Sequence, residues 1–450
     1  MHSSIFRKYD INCNIFQEEI YTLGQAFAYY FTRYSDSVKT VIIGRDNCKN
    51  SAFIEQELSR ALTDTGLNVI ILGACTNPII HFSLNILPVQ ASLMITSSST
   101  QLNNSNIIKI YLNKELVWGK EIELISNIFY NQKIYKSFIK GSEKHHSMVE
   151  RYIDWLAHKF NYLQDFNQKI NINCSSDIPQ NIVSDLFQKI KLNTIKIASE
   201  TDQDNLQSID YNVDLNLSLK NSCKRLIVHA DNSIIDSDKL IAIYSKDIIN
   251  KNPNTTIIYD TECSLFLDEL ITNLKANYKR VNNSTIDITD EMKSLNSPFA
   301  ADSTGQFYFQ DNYFGYSDAL YSALRLMDIL YKNQKNLEYL LLELPHFYNI
   351  PEIKIDCNSK DIADKLIENT YRFFAAKTDI TLSKNNGIQA ILPYGNAKLK
   401  SLNNSIISIK CESKTLEGLE KVKNDFINIF RDHIDSKILT SNINQLNKLN

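Results

Sequence analysis

Apolar residues recur along this chain in two alternating rhythms. In Glu18–Tyr34 the residues Ile20, Leu23, Phe27 and Phe31 fall at helical spacing, and Val41–Gly44 is then a short apolar run ending in Gly44-Arg45-Asp46. Phe53–Thr65 returns to the helical period, with Ile54, Leu58, Ala61 and Leu62 on one face. Val69–Gly73, Ser92–Thr96 and Ile107–Leu112 read as three further strands. Short buried strands alternating with helices predict an α/β layered domain.

The same alternation returns further along. A second stretch has strands at Ile170–Asn173, Thr194–Ala198, Asp214–Leu219 and Arg225–His229, with helices over Pro179–Lys191 and Asp238–Lys246. A third opens with strand Thr255–Tyr259 and helix Ser264–Ala276 and closes with a long helix over Ser317–Tyr331. Tyr348-Asn349-Ile350-Pro351 reads as a linker into a last unit, with helices Ser359–Ala376 and Leu416–Arg431 and strands Gly387–Leu392 and Ile406–Cys411. The expected fold class is therefore α/β, in four domains: 1–148, 149–250, 251–349 and 350–450. Three are similar mixed α/β domains and the last is a smaller α+β domain. A chain of 450 residues is too long for one core, which agrees with this division.

Composition narrows the function classes. Hydrophobic residues at 43% and charged residues at 22% suit an ordinary globular protein. The formal net charge of -3, without a block of like charge, argues against a nucleic-acid partner. The N-terminus lacks the apolar core of a signal peptide, and no run approaches the ~18 apolar residues of a membrane span. Eight cysteines stand far apart without a C-x-x-C pair, so they read as small apolar residues in a reducing cytoplasm. His145 and His146 are adjacent and read as part of an exposed connector. Glycine occurs only 11 times, roughly a third of the ~7% average usage. Few places are left for glycine-rich phosphate loops.

Several segments carry a resemblance. Ile5-Phe6-Arg7-Lys8-Tyr9-Asp10-Ile11, Val41-Ile42-Ile43-Gly44-Arg45-Asp46, Leu72-Gly73 with Thr76-Asn77-Pro78, and Met94-Ile95-Thr96 resemble the first domain of bacterial phosphohexomutases, the phosphomannomutase/phosphoglucomutase family. Asp238-Lys239-Leu240 and Asn252-Pro253 fit its second domain. Phe307-Tyr308-Phe309, Asp311-Asn312-Tyr313-Phe314-Gly315 and Asp318-Ala319-Leu320-Tyr321 fit its third. The similarity runs in order along essentially the whole chain, with a deletion between Ala198 and Asn212. It implies a four-domain enzyme interconverting hexose 1- and 6-phosphates. In such enzymes a phosphoserine donates its phosphoryl group, Mg²⁺ is held by second-domain aspartates, the third domain reads sugar hydroxyls and the fourth clamps a phosphate.

The departures fall at the chemistry. The family's T-A-S-H-N-P followed by N-G-x-K is here Thr96-Ser97-Ser98-Ser99-Thr100-Gln101, then Asn106-Ile107-Ile108-Lys109. The resemblance implies Ser98 as nucleophile and Lys109, one residue late, as proton donor. The competing reading is a solvated hydroxyl-rich loop with one surface lysine. The family's D-G-D-G-D-R is here Lys220-Asn221-Ser222-Cys223-Lys224-Arg225. Three carboxylates are gone and two lysines have entered, whereas Mg²⁺ requires hard oxygen ligands. No cofactor is therefore expected. Lys220, Lys224 and Arg225 either bind a phosphate directly or form a solvated turn.

The family's sugar loop, G-E-x-S-G-H, is here Ala301-Asp302-Ser303-Thr304-Gly305-Gln306, which keeps a carboxylate, a hydroxyl and the turn glycine. Asp302 then either binds sugar hydroxyls or is an ordinary loop acid. The family's K-T-G-H has become Asn282-Asn283-Ser284-Thr285. In Leu399-Lys400-Ser401-Leu402-Asn403-Asn404-Ser405, Lys400 stands in for the arginine of the family's phosphate clamp, without its bidentate fork. Y-D-I-R-G has become Tyr9-Asp10-Ile11-Asn12-Cys13. The substrate-binding set implied by the resemblance is Arg45, Arg225, Asp302, Thr304 and Lys400, with no metal ligand.

Three functional expectations follow. One is a catalytically impaired or inactive relative that binds a hexose phosphate or serves as a partner subunit in the cytoplasm. Another is an active or weak hexose 1-phosphate/6-phosphate mutase using Ser98 with a lysine-assisted site. The third is a folded remnant without a role.

Overall fold

A computed structural model describes residues 5–13, 16–35, 38–97, 106–131, 137–192, 195–199, 213–230, 233–384, 387–403 and 405–431. The chain divides into two compact units, Met1–Cys263 with Ile271–Leu342, and Ser264–Leu270 with Glu343–Asn450. Four sheets follow one another along it.

The first unit holds three of them. Its seven-stranded sheet runs in the order Ile11–Asn12, Asn106–Leu112, Ala91–Ser97, Thr40–Arg45, Asn68–Ala74, Glu143–His145, with Glu115–Leu116 beside Asn106–Leu112. Thr40–Arg45 is flanked by parallel neighbours on both sides, and Asn106–Leu112 closes antiparallel on Ala91–Ser97. Central strands covered on both faces need continuous apolar runs, and Val41, Ile42, Ile43, Leu93, Met94 and Ile95 are all fully buried. Helices Gln17–Tyr34 and Ser51–Asp64 lay Phe27, Phe31, Leu58 and Leu62 into the same core. Each such side chain contributes about 1.5–3 kcal/mol relative to exposure. His145, ending the edge strand, and His146 are exposed, as expected.

The second sheet has the order Ser233–Ile234, Arg225–Ala230, Leu215–Lys220, Ile170–Cys174, Ile195–Ser199. Its central feature is the hairpin of Leu215–Lys220 with Arg225–Ala230, closing on the pair Lys220↔Arg225. The third sheet has the order Asn277–Val281, Thr256–Asp260, Phe299–Ala301, Phe307–Phe309. Helix Ala319–Asn333 follows it, capped by Asp318. That carboxylate accepts from the Tyr321 backbone N–H at 3.0 Å and from the Tyr152 hydroxyl at 2.7 Å, and it also accepts from Tyr313.

The second unit is built on an antiparallel sheet of order Tyr348–Asp356, Ile406–Ser413, Gly395–Ser401, Ile388–Leu392, Thr381–Ser383. Helices Lys360–Ala375 and Leu416–Phe430 cover one face, with Leu366, Phe374, Val422 and Phe426 over Leu399 and Ile407. The linker expected at Tyr348–Pro351 is instead the start of a strand. Its register shifts between Ile350 and Ile353, so Pro351, which has no N–H, falls where the ladder is interrupted. Among the described residues no helix is long and apolar enough to cross a membrane.

Candidate functional site

The ends of the hydroxyl-rich loop are held by one acid. After strand Thr40–Arg45, the backbone N–H of Asp46 donates to Ile95 O at 2.9 Å. The Asp46 carboxylate accepts from the Ser97 N–H at 2.7 Å, the Cys48 N–H at 3.0 Å and the Ser51 hydroxyl at 2.7 Å. Ser51 Oγ in turn accepts from the Asn106 side-chain amide at 2.9 Å. Ser97 and Asn106 are register partners, so both entry and exit of the intervening segment are fixed. Ser98 itself lies outside the described residues. Arg45 is engaged by its neighbours: its Nε donates to Glu55 at 3.1 Å, and its Nη1 donates to Asp46 O and to the Asn47 side chain. Burial raises the Glu55 carboxyl above its usual range, against the pull of Arg45.

The turn at 221–224 is unusual in its backbone. Asn221, Ser222 and Cys223 are successively left-handed, at φ of 54°, 52° and 65°. Residues with a Cβ resist that region, at about 1–2 kcal/mol each, and external bonds hold them in it. Asn77 N–H, in the first turn of helix Asn77–Ile86, faces Ser222 O and Ser222 Oγ, each at 3.3 Å. Ala319 N–H, in the first turn of Ala319–Asn333, donates to Cys223 O at 2.7 Å. The turn thus satisfies orphan donors at two helix starts.

Those anchors leave Lys224 only partly exposed. Burial is the main cause holding its amine well below the usual lysine range, and the adjacent Lys109 amine, within hydrogen-bonding reach, adds to it. Asp302 opposes the shift and Arg225 reinforces it. Burial also lowers Lys220. Lys109 belongs to strand Asn106–Leu112, and Tyr111, on the same face of that strand, meets the ring of His81 edge-on at 4.7 Å. The other side of His81 stacks on Tyr316 at 4.8 Å. Burial, then Lys224 and Lys109, bring His81 down to about 3.

The loop 302–306 closes the remaining side. Asp302 is 2% exposed. Its Oδ1 accepts from Thr304 N at 2.9 Å, Thr304 Oγ1 at 2.6 Å and Gln306 N at 3.1 Å, and its Oδ2 from Gln306 Nε2 at 2.9 Å. Burial raises its carboxyl while these donors offset part of the rise. Asp302 and Thr304 therefore turn towards each other, and their polar atoms serve the loop. Asp260, fully buried, fastens the same loop through Ser303 N at 3.0 Å and Ser303 Oγ at 2.9 Å. Gly305 is required here: φ is 91°, its carbonyl accepts from Leu226 N at 2.9 Å, and a Cβ would lie 2.6 Å from Leu226 O.

The structure thus brings Lys109, Lys224, Arg225 and Asp302 together, with His81 beside the two lysines. Arg45 is committed to Glu55 and its own loop. Lys400 belongs to the second unit. There it sits on strand Gly395–Ser401 opposite Ser408. His81, Tyr316, Asp46 and Asp260 are not assigned to the site by the sequence. Of these only Asp46, directly after Gly44-Arg45, carries a local signal.

The comparisons with known proteins agree with this architecture. Residues 3–136 match the model of phosphoglucomutase/phosphomannomutase alpha/beta/alpha domain I, and residues 236–348 that of domain III. The chain is 24% identical over 456 aligned residues to a phosphomannomutase/phosphoglucomutase of Pseudomonas aeruginosa, covering 95% of each chain. It superposes on a phosphoglucomutase/phosphomannomutase family protein of Burkholderia thailandensis with a TM-score of 0.78 at 18% identity, over 96% of this chain and 98% of that one. An Aspergillus fumigatus N-acetylphosphoglucosamine mutase in complex with GlcNAc-6P and magnesium is more distant, with a TM-score of 0.54 at 11% identity over 88% and 83%. The chain belongs to the alpha-D-phosphohexomutase family.

Proposed function

We propose that this phosphomannomutase/phosphoglucomutase-like chain binds a hexose phosphate in the cytoplasm and is impaired as a metal-dependent mutase. The observation that carries the reading is the position of Lys224 beside Lys109, in the turn where relatives hold Mg²⁺. The residues present do not fit that ion. Ser222 O and Oγ face Asn77 N–H, Cys223 O accepts from Ala319 N–H, and the remaining side chains of the turn are two lysines, an asparagine and the soft Cys223 thiol. Hard oxygen donors of negative charge are what Mg²⁺ requires, and an ammonium repels it.

Sugar-phosphate binding is supported by the cationic character of the same place and by the GlcNAc-6P complex of the Aspergillus relative. Family likeness alone does not establish turnover, because activity resides in the site. One observation favours a second reading. Two amines at the family's catalytic position could offset phosphoryl charge in place of a metal, giving a weak mutase that uses Ser98.

The deciding experiment supplies glucose 1-phosphate or mannose 1-phosphate, glucose 1,6-bisphosphate and Mg²⁺, and follows formation of the 6-phosphate. Ser98 is inspected in parallel by peptide mass spectrometry. No turnover with a ligand-induced thermal shift is the expected result. Turnover abolished by Ser98→Ala would overturn the proposal in favour of the lysine-assisted mutase.

A further inference from the structure

Three cations converge at this site without a directly paired carboxylate. Among the described residues, no ion pair within 4.0 Å involves Lys109, Lys224 or Arg225. The buried Nε–H of Arg225 also has no acceptor there. The nearby acid, Asp302, has both oxygens taken by Thr304 and Gln306. Cations withdrawn from water are costly unless paired. The arrangement is also fixed from several sides. Strand Asn106–Leu112 carries Lys109, the hairpin turn carries Lys224 and Arg225, and both Asn77 and Ala319 hold the turn.

We infer that Lys109, Lys224 and Arg225 form a direct, metal-free site for the dianionic phosphate of a phosphate monoester. This rests on the hexose-phosphate reading above and specifies where the phosphate is held. A carboxylate ligand would neutralise only one of the two ammonium groups. A dianionic phosphate neutralises both and offers additional acceptors to the free Arg225 Nε–H. The charged and titratable groups facing the anion are Lys109 on its strand, His81 on helix Asn77–Ile86, Lys224 and Arg225 on the hairpin, and Asp302 on its loop. The phosphate can come from a free ester or from a phosphoryl group carried on the chain's own serine, and the chemistry of recognition is the same.

The test is isothermal titration of the full chain with inorganic phosphate and with glucose 6-phosphate. Wild type, Lys224→Met, Lys109→Met and the exposed-site control Lys144→Met are compared, with folding checked by circular dichroism. The control should match wild type for both ligands, whereas Lys224→Met and Lys109→Met should each weaken both ligands at least tenfold. Binding of both ligands unchanged within twofold in the two variants overturns the site, as does failure of wild type and Ser98→Ala alike to bind inorganic phosphate. Loss of glucose 6-phosphate binding alone, with lysine-dependent phosphate binding retained, instead sinks the hexose reading and leaves the anion site standing. Intact mass and Ser98→Ala separate the sources. A phosphorylated wild type that accepts phosphate only after Ser98→Ala assigns the anion to the serine, and equal binding by both proteins assigns it to a free ester.

Discussion

The Asp46 carboxylate accepts the backbone N–H of Ser97 at 2.7 Å, so an acid following one strand fixes the last residue of its neighbour. Through Ser51 the same acid reaches Asn106, on the far side of the hydroxyl-rich loop. Replacing Asp46 with Ala removes three acceptor contacts at once. The expected loss is about 1–3 kcal/mol of stability, measured by denaturant unfolding. Faster amide exchange at Ser97 should accompany it, and unchanged exchange there would contradict the tether.

Lys224 makes a prediction with a definite sign. Its amine titrates below its ordinary value in the fold, mainly because of burial. The unfolded chain therefore binds more protons between the two pKa values, and stability rises with pH across that window. At neutral pH, Lys224→Met should raise the melting temperature in phosphate-free buffer, by a few degrees for about 1 kcal/mol. Its melting temperature should also depend less on alkaline pH than that of wild type.

His81 gives a second window of the same sign, at acid pH. Its folded pKa of about 3 lies below the ordinary 6.5. Its neutral form is favoured by the fold, so this contribution is present above pH 6.5 and is lost as pH falls towards 3. The slope is at most about 1.4 kcal/mol per pH unit. A His81→Gln variant should show a flatter stability profile between those limits in pH-dependent urea unfolding.

Two backbone substitutions test opposite strains. Ser222→Gly removes a Cβ from a left-handed residue at φ 52° and should stabilise the fold by about 0.5–1 kcal/mol, net of the entropy glycine adds to the unfolded state. Gly305→Ala adds a Cβ at φ 91°, within 2.6 Å of the Leu226 carbonyl, and should destabilise by about 2 kcal/mol or more. Thermal unfolding of the two variants should therefore move in opposite directions.

The alternation of apolar periods makes the central strands and most helices legible in the sequence alone. Val41–Gly44 lies inside strand Thr40–Arg45, and Glu18–Tyr34 matches helix Gln17–Tyr34. Helix Asn77–Ile86 escapes the periodic reading, although Pro78 in its first turn is a usable start signal. Strand Gly395–Ser401 also goes unread by periodicity, although Ala397 and Leu399 alternate along it with polar neighbours. His81 is invisible to pattern, because its aromatic neighbours, Tyr111 and Tyr316, are distant in sequence. The setting of Lys224 is equally hidden. Whether a turn lysine points into water depends on what grips the turn, and here Asn77 and Ala319 do so.

That grip has an architectural consequence. Residues Ser222 and Cys223, from the second stretch of the chain, are riveted to a helix of the first and a helix of the third by main-chain bonds, with the Ser222 hydroxyl sharing one of the donors. A coordinated ion can join chain segments by drawing ligands together. Here the joint is made chiefly of peptide groups, which replacements other than proline leave in place. The electrostatic sign at the centre of this unit could therefore invert during divergence while the scaffold around it stayed in alignment.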